Sequence, residues 1–128
     1  MIKLVYCLRR LPHLSLPEFQ RYWLQKHGPL VRNRAKALGV KRYVQVHTLD
    51  HPLNEAIRRS RNAAEPYDGV AELWWESAEE MAAATATPEG QKAARELRED
   101  ERNFIDFARS SLWIAKEHEV VGGPGQVE

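Results

Sequence analysis

One cysteine in 128 residues, Cys7, rules out an internal disulfide framework and fits a reducing compartment. No apolar run is long enough to span a bilayer. The N-terminus lacks the basic region, apolar stretch and small-residue cleavage site of a secretory leader, so a cytoplasmic location is expected. Charge of one sign is missing too: 19 basic and 18 acidic residues leave a formal +1. That balance supplies no electrostatic reason to expect a nucleic-acid partner. The two short-spaced ligand pairs that together mark a zinc site are not present, so no metal site is expected. No Gly-x-Ser-x-Gly elbow is present, which argues against a Ser-His-Asp hydrolase. Hydrophobic residues make up 43%, enough for one core of modest size, and self-association would help such a chain.

The most informative stretch is Ser15 to Val31, SLPEFQRYWLQKHGPLV. Ser15 and Glu18 form a capping box, and Pro17 falls in the first turn, where its missing N–H costs no bond. Phe19, Trp23 and His27 recur every four residues and share one helical face. Gly28-Pro29 is expected to break the helix, because the residue before a proline is pushed from the α region. Pro29 then opens a second segment ending at Gly39. His27 would thus close an apolar stripe at a helix terminus.

Around this stretch the pattern alternates. Ile2 to Arg9 reads as a strand with Ile2, Leu4, Tyr6 and Leu8 on one face. Val40 to Leu49 reads as a second, its Val40, Val44 and Val46 face expected under helices and its Tyr43, Gln45 and His47 face lining a wet cavity. Asp50 to Pro66 is a long connection with a short helical patch. Tyr67 to Ser77 is a third strand carrying Trp74 and Trp75 on opposite faces, so both faces should be covered. Ser77 to Glu80 caps an alanine-rich helix, and Thr87-Pro88 restarts it as far as Glu101. Leu112 to Val121 reads as a fourth strand. Residues 122–128, GGPGQVE, are expected to be disordered.

The order β-α-β-β-α-β is the ferredoxin-like, α+β pattern: a four-stranded antiparallel sheet in one domain, residues 1–121. Helices on one face leave the other bare, and a second copy packed sheet to sheet is the simplest cover, giving a homodimer.

The ordered set Phe19, Tyr22, Trp23, His27-Gly28-Pro29, Arg42-Tyr43-Val44-Gln45, Tyr67-Asp68-Gly69-Val70-Ala71-Glu72-Leu73-Trp74 and Glu117-His118-Glu119-Val120-Val121 resembles the EthD family of the dimeric α+β barrel superfamily. The likeness runs over residues 2–121, with Glu119 interrupting the closing Glu-His-Val-Val. It implies the dimeric barrel. The family's namesake accompanies an ether-degrading oxygenase system. Fungal relatives act on aromatic polyketides without metal or redox cofactor, by elimination, decarboxylation or cyclisation. Related barrels include an isomerase, cofactor-free monooxygenases and haem-binding proteins, so fold alone does not name the reaction.

Candidate site residues follow from residue chemistry. His27 suits a general acid or base, its alternative being a helix-end histidine satisfied by a carbonyl. Tyr43 and His47 share a strand face with Gln45 between them, able to polarise a carbonyl or hold a phenol, or else forming a polar sheet edge. Asp68 either shapes a turn before Gly69 or orients the His27 imidazole. Phe19, Tyr22, Trp23, Gln45, Trp75 and His118 are the candidate substrate contacts, since flat apolar molecules need aromatic walls with a few polar groups. The leading expectation is a cofactor-independent lyase, isomerase or monooxygenase acting by proton transfer on an aromatic or polyketide-like carbonyl compound. The alternatives are a non-catalytic ligand-binding or accessory dimer of a degradation pathway and a haem-binding barrel with His27 or His118 as axial ligand.

Overall fold

The computed structural model describes residues 1–123. Strand β1 (Ile2–Leu8) leads into helix α1 (Leu16–Tyr22), a π-helical turn (Trp23–His27) and helix α2 (Gly28–Leu38). Strand β2 (Arg42–His47), helix α3 (Pro52–Ser60) and strand β3 (Gly69–Trp75) follow. Helices α4 (Ala78–Ala86) and α5 (Pro88–Glu101), a short 3₁₀ turn and strand β4 (Ser111–Ala115) complete the chain. The sheet order is β2-β3-β1-β4, antiparallel throughout. Of the expected tail, residues 124–128 lie outside the described residues. No helix among the described residues is long and apolar enough to cross a membrane.

The N-terminal signals act as their chemistry requires. Ser15 Oγ accepts from Glu18 N–H while Glu18 accepts from Ser15 N–H, and Ser77 and Thr87 cap α4 and α5. Gly39 ends α2 at φ 73°, a left-handed position suited to glycine. Under the sheet, Leu8, Phe19, Trp23, Val31 and Phe104 are fully buried. Each such side chain contributes roughly 1.5–3 kcal/mol of transfer free energy.

Three expectations are corrected. First, Gly28-Pro29 does not break the helix: Gly28 keeps helical angles (φ −53°, ψ −52°). Glycine has no Cβ to clash with the proline ring. The wider π turn, closed by Gly28 N–H on Trp23 C=O, absorbs the missing donor of Pro29.

Second, the faces of β2 are exchanged. Tyr43 pairs opposite Leu73 and Gln45 opposite Ala71, which puts Tyr43, Gln45 and His47 on the helix side. Val44 and Val46 face outward, Val46 with 45% of its surface exposed. Side chains alternate with period two, so a one-residue choice of frame swaps the whole set.

Third, β4 stops at Ala115. Ala115 pairs with Lys3, so a longer strand runs past the start of β1 and finds no partner. Glu117 instead accepts from Trp74 Nε1 at 2.8 Å. Trp74 needs no further cover on the outer face, since Lys3 and Arg42 also lie over its ring at 5.1 and 4.6 Å. Trp75, on the inner face, donates to Leu38 C=O at 2.7 Å.

Candidate active site

The helical run from α1 through the π turn lays Phe19, Trp23 and His27 along one buried line. Phe104 closes on it, 5.7 Å from the Phe19 ring and 5.0 Å from His27. His27 Nδ1 lies 2.8 Å from Asp100 Oδ2. Asp100 also accepts from the Tyr22 hydroxyl at 2.6 Å and from Asn103 Nδ2 at 3.3 Å. Burial alone would raise the Asp100 carboxyl, but the bonds from Tyr22, His27 and Asn103 outweigh it and hold the group below the usual carboxylate range. An ionised Asp100 only accepts, so the proton of the neutral imidazole sits on Nδ1 and the lone pair on Nε2. Burial lowers the His27 pKa, with the bond and charge of Asp100 opposing it. At neutral pH the residue is therefore a neutral base.

His27 borders a cavity of about 400 Å³ between the sheet and α4 and α5. Leu4, Leu73, Trp23, Trp75, Met81 and Leu97 are among its apolar walls. Tyr43 reaches it from β2, and its hydroxyl oxygen accepts from Gln45 Nε2 at 2.9 Å. The tyrosine's own proton is thus left to donate. Burial, opposed by the Gln45 and Trp23 bonds and joined by the Glu101 charge, pushes the Tyr43 pKa up to about 12. It is a hydrogen-bond donor and a poor proton donor.

The cavity also holds a pair that the sequence reasoning missed. Tyr6 on β1 donates to Glu101 Oε1 at 3.1 Å. Burial is the main cause that raises the Glu101 pKa to about 7; Tyr6 and Arg98 pull it down and Asp100 pushes it up. Burial also raises the Tyr6 phenol, together with the charge of Glu101 and the hydrogen bond to it. A signal for Glu101 was present: Ala93, Leu97 and Glu101 are spaced by four, so an ionisable group ends an apolar stripe just as His27 does. Asp100 carried no such mark within a run of helix charges.

Linkage gives Glu101 a measurable effect on stability. Its folded-state pKa of about 7 exceeds the ordinary 4.5, so its contribution is favourable at low pH and is lost as pH rises from 4.5 through 7. Urea unfolding of wild type and Glu101→Gln across that window should show wild type losing stability relative to the variant. Parallel profiles would disprove the assignment.

The remaining candidates lie elsewhere. His47 stacks on the far side of Trp23 (centroids 4.5 Å apart) and gives its Nε2 proton to Gln45 Oε1 at 2.8 Å, bordering an outer groove with Gln45. Gln45 Nε2 also donates to Trp23 C=O, locking the π turn to the sheet. Asp68 accepts from Arg10 N–H and pairs with the Arg10 guanidinium, so it orients a loop while Asp100 orients His27. Phe19 is buried behind Trp23, and Tyr22 is engaged with Asp100. His118 is exposed beyond β4. Trp23, Trp75, His27 and Tyr43 are the expected residues that the fold brings to one cavity. Among the described residues no group of three His, Cys, Asp or Glu is placed to hold a metal ion.

A four-stranded antiparallel sheet with helices on one face is the α+β architecture of the dimeric α+β barrel structures. Its EthD domain spans residues 11–108, and the chain belongs to the EthD domain family. An ethyl tert-butyl ether D (EthD) family protein from Bacillus halodurans C-125 shares the fold at 20% identity and TM-score 0.60, over 92% of this chain and 99% of that one. An EthD-like protein from Ralstonia eutropha JMP134 shares it at 17% identity and TM-score 0.59, over 98% and 97%. SnoaB, a cofactor-independent oxygenase from Streptomyces nogalater, matches at 14% identity and TM-score 0.55, over 95% and 97%. No curated protein matches the sequence.

Proposed function

We propose that this protein is a cofactor-independent enzyme acting by proton transfer on an aromatic or polyketide-like carbonyl compound, by isomerisation, elimination or decarboxylation. One observation carries this reading: a neutral imidazole, fixed by an ionised carboxylate through Nδ1, borders an apolar cavity with Nε2 free. His27 takes a proton from carbon next to the carbonyl. The Tyr43 hydroxyl donates to the carbonyl oxygen, where negative charge develops. Trp23 and Trp75 offer walls for a flat substrate, and the apolar surroundings strengthen both interactions. Proton transfer of this kind uses an acid and a base and no redox group. The cofactor-independent oxygenase among the structural relatives is consistent with such a cavity. The test is hydrogen–deuterium exchange next to the carbonyl of a panel of aromatic ketones in D₂O, followed by NMR. Exchange above buffer that His27→Gln abolishes supports the reading; a panel that exchanges no faster than in buffer overturns it.

The working form we propose is a homodimer joined through the open sheet face. Val5 and Cys7 of β1, Val44 and Val46 of β2, Val70 of β3 and Trp113 of β4 share that face. Trp113 is 48% exposed, an apolar cost that a second copy removes. Val70→Asp, at the middle of the sheet, places a carboxylate in the interface. Sedimentation should then show a monomer where the wild type shows a dimer, with unchanged helical circular dichroism. A dimeric variant would place the interface elsewhere.

A further inference from the structure

We propose that Glu101 is the proton donor to the substrate's oxygen, the acid that works opposite His27; this rests on the proton-transfer reading above. Among the described residues lining the cavity, Glu101 supplies the carboxyl and Arg98, three residues earlier on α5, the guanidinium. Tyr6 binds Oε1 alone. The second carboxyl oxygen is thus available to carry a proton toward the cavity. A carboxyl set against apolar walls with one phenol as its hydrogen-bond donor is a costly arrangement, since burying an ionisable group is repaid only by pairing or by neutrality. A structural role would be served as well by glutamine. The groups that act on Glu101 or are acted on by it are Tyr6 from β1, Tyr43 from β2, and Arg98 and its neighbour Asp100 from α5; His27 of the π turn lines the same cavity.

The chemistry balances. The C–H proton passes to His27 Nε2, and its electron pair becomes the carbon–carbon double bond. The carbonyl π pair takes the Glu101 proton, leaving an enol, an imidazolium and a carboxylate. Return of the imidazolium proton to the same carbon, with the enol proton passing back to Glu101, exchanges the C–H and restores both residues; where a β,γ double bond makes the intermediate a dienol, return to the γ-carbon gives the isomer. A raised carboxyl pKa matches the donor to a neutral working pH, as efficient acid catalysis requires, whereas the Tyr43 phenol holds its proton too tightly. The substrate class is accordingly a neutral, enolisable aromatic ketone.

The experiment uses the full chain with 2-acetonaphthone in D₂O, following loss of the methyl proton signal across about pH 5 to 9. Wild type should show a bell-shaped profile, its alkaline limb reporting the acid. Glu101→Gln should cut kcat by about 10²-fold or more, leave KM within about threefold and erase the alkaline limb. Tyr6→Phe removes a bond that lowers the Glu101 pKa, so the alkaline limb should move to higher pH; a role in packing alone produces no such shift. If Glu101→Gln exchanges within about threefold of wild type and keeps its alkaline limb while His27→Gln is inactive, the acid assignment fails and the base stands. Wild type no faster than buffer overturns both. Should Glu101→Gln fail to fold by circular dichroism, an unmoved limb in Tyr6→Phe is decisive against the assignment.

Discussion

Replacing His27 with glutamine is expected to lower kcat for proton exchange by about 10²–10⁴-fold, the usual contribution of a positioned general base. Glutamine has nearly the volume of histidine, so the buried line of Phe19, Trp23 and Phe104 is kept and KM should hardly move. Equal loss in kcat and kcat/KM marks an interaction made in the transition state. The pH dependence follows from the environment. Burial lowers the His27 pKa, so the acidic limb of the wild-type profile should lie below about pH 6.5, where a free imidazole titrates. Activity falls as pH drops through that limb, because the protonated ring has no lone pair at Nε2. Asp100→Asn should weaken the enzyme by a related route: the amide can present either oxygen or nitrogen to Nδ1, and the nitrogen selects the tautomer with the proton on Nε2. If His27→Gln retains a third or more of wild-type kcat, the base is another group and the proposed chemistry fails.

Gly69→Ala is the second large effect, and it acts on stability. A Cβ on Gly69 would overlap the far edge of the Trp23 indole and lie 2.9 Å from Val46 C=O. Neither neighbour has room to yield. Trp23 is buried, with Phe19 5.7 Å from one side of it and His47 stacked 4.5 Å away. Val46 is held in the β2-β3 ladder opposite Val70. Overpacking of this kind costs about 1–3 kcal/mol, or a Tm lower by roughly 4–11 °C for a domain of this size. The same displacement of Trp23 deforms the cavity wall, so ligand binding should weaken with stability. Trp23→Phe supplies the control: it removes the indole edge, so it should cost less in the Gly69→Ala background than in wild type, giving a coupling above about 0.5 kcal/mol in a double-mutant cycle. A Gly69→Ala protein melting within about a degree of wild type would show that β3 and the π turn have slack between them.

What the sequence determined by itself was whatever local physics decides. Ser15, Ser77 and Thr87 start helices because their hydroxyls satisfy neighbouring N–H groups. The spacing of Phe19, Trp23 and His27 put them on one buried face before any packing partner was known, and the ordered motifs placed the chain in its family. Period-two alternation marked β1 and β3 and sorted their faces. The tertiary structure decided everything that depends on a partner distant in sequence. Which face of β2 is buried was set by the β3 register, since Gln45 and His47 become acceptable inside only when Trp23 offers a carbonyl and a ring. Where β4 ends was set by where β1 begins. The group that orients His27 lies 73 residues away, and Asp68, the nearer match by motif, was taken by Arg10. Glu101 meets Tyr6 across 95 residues, a pairing that no spacing rule reaches because it exists only once α5 has packed on the sheet.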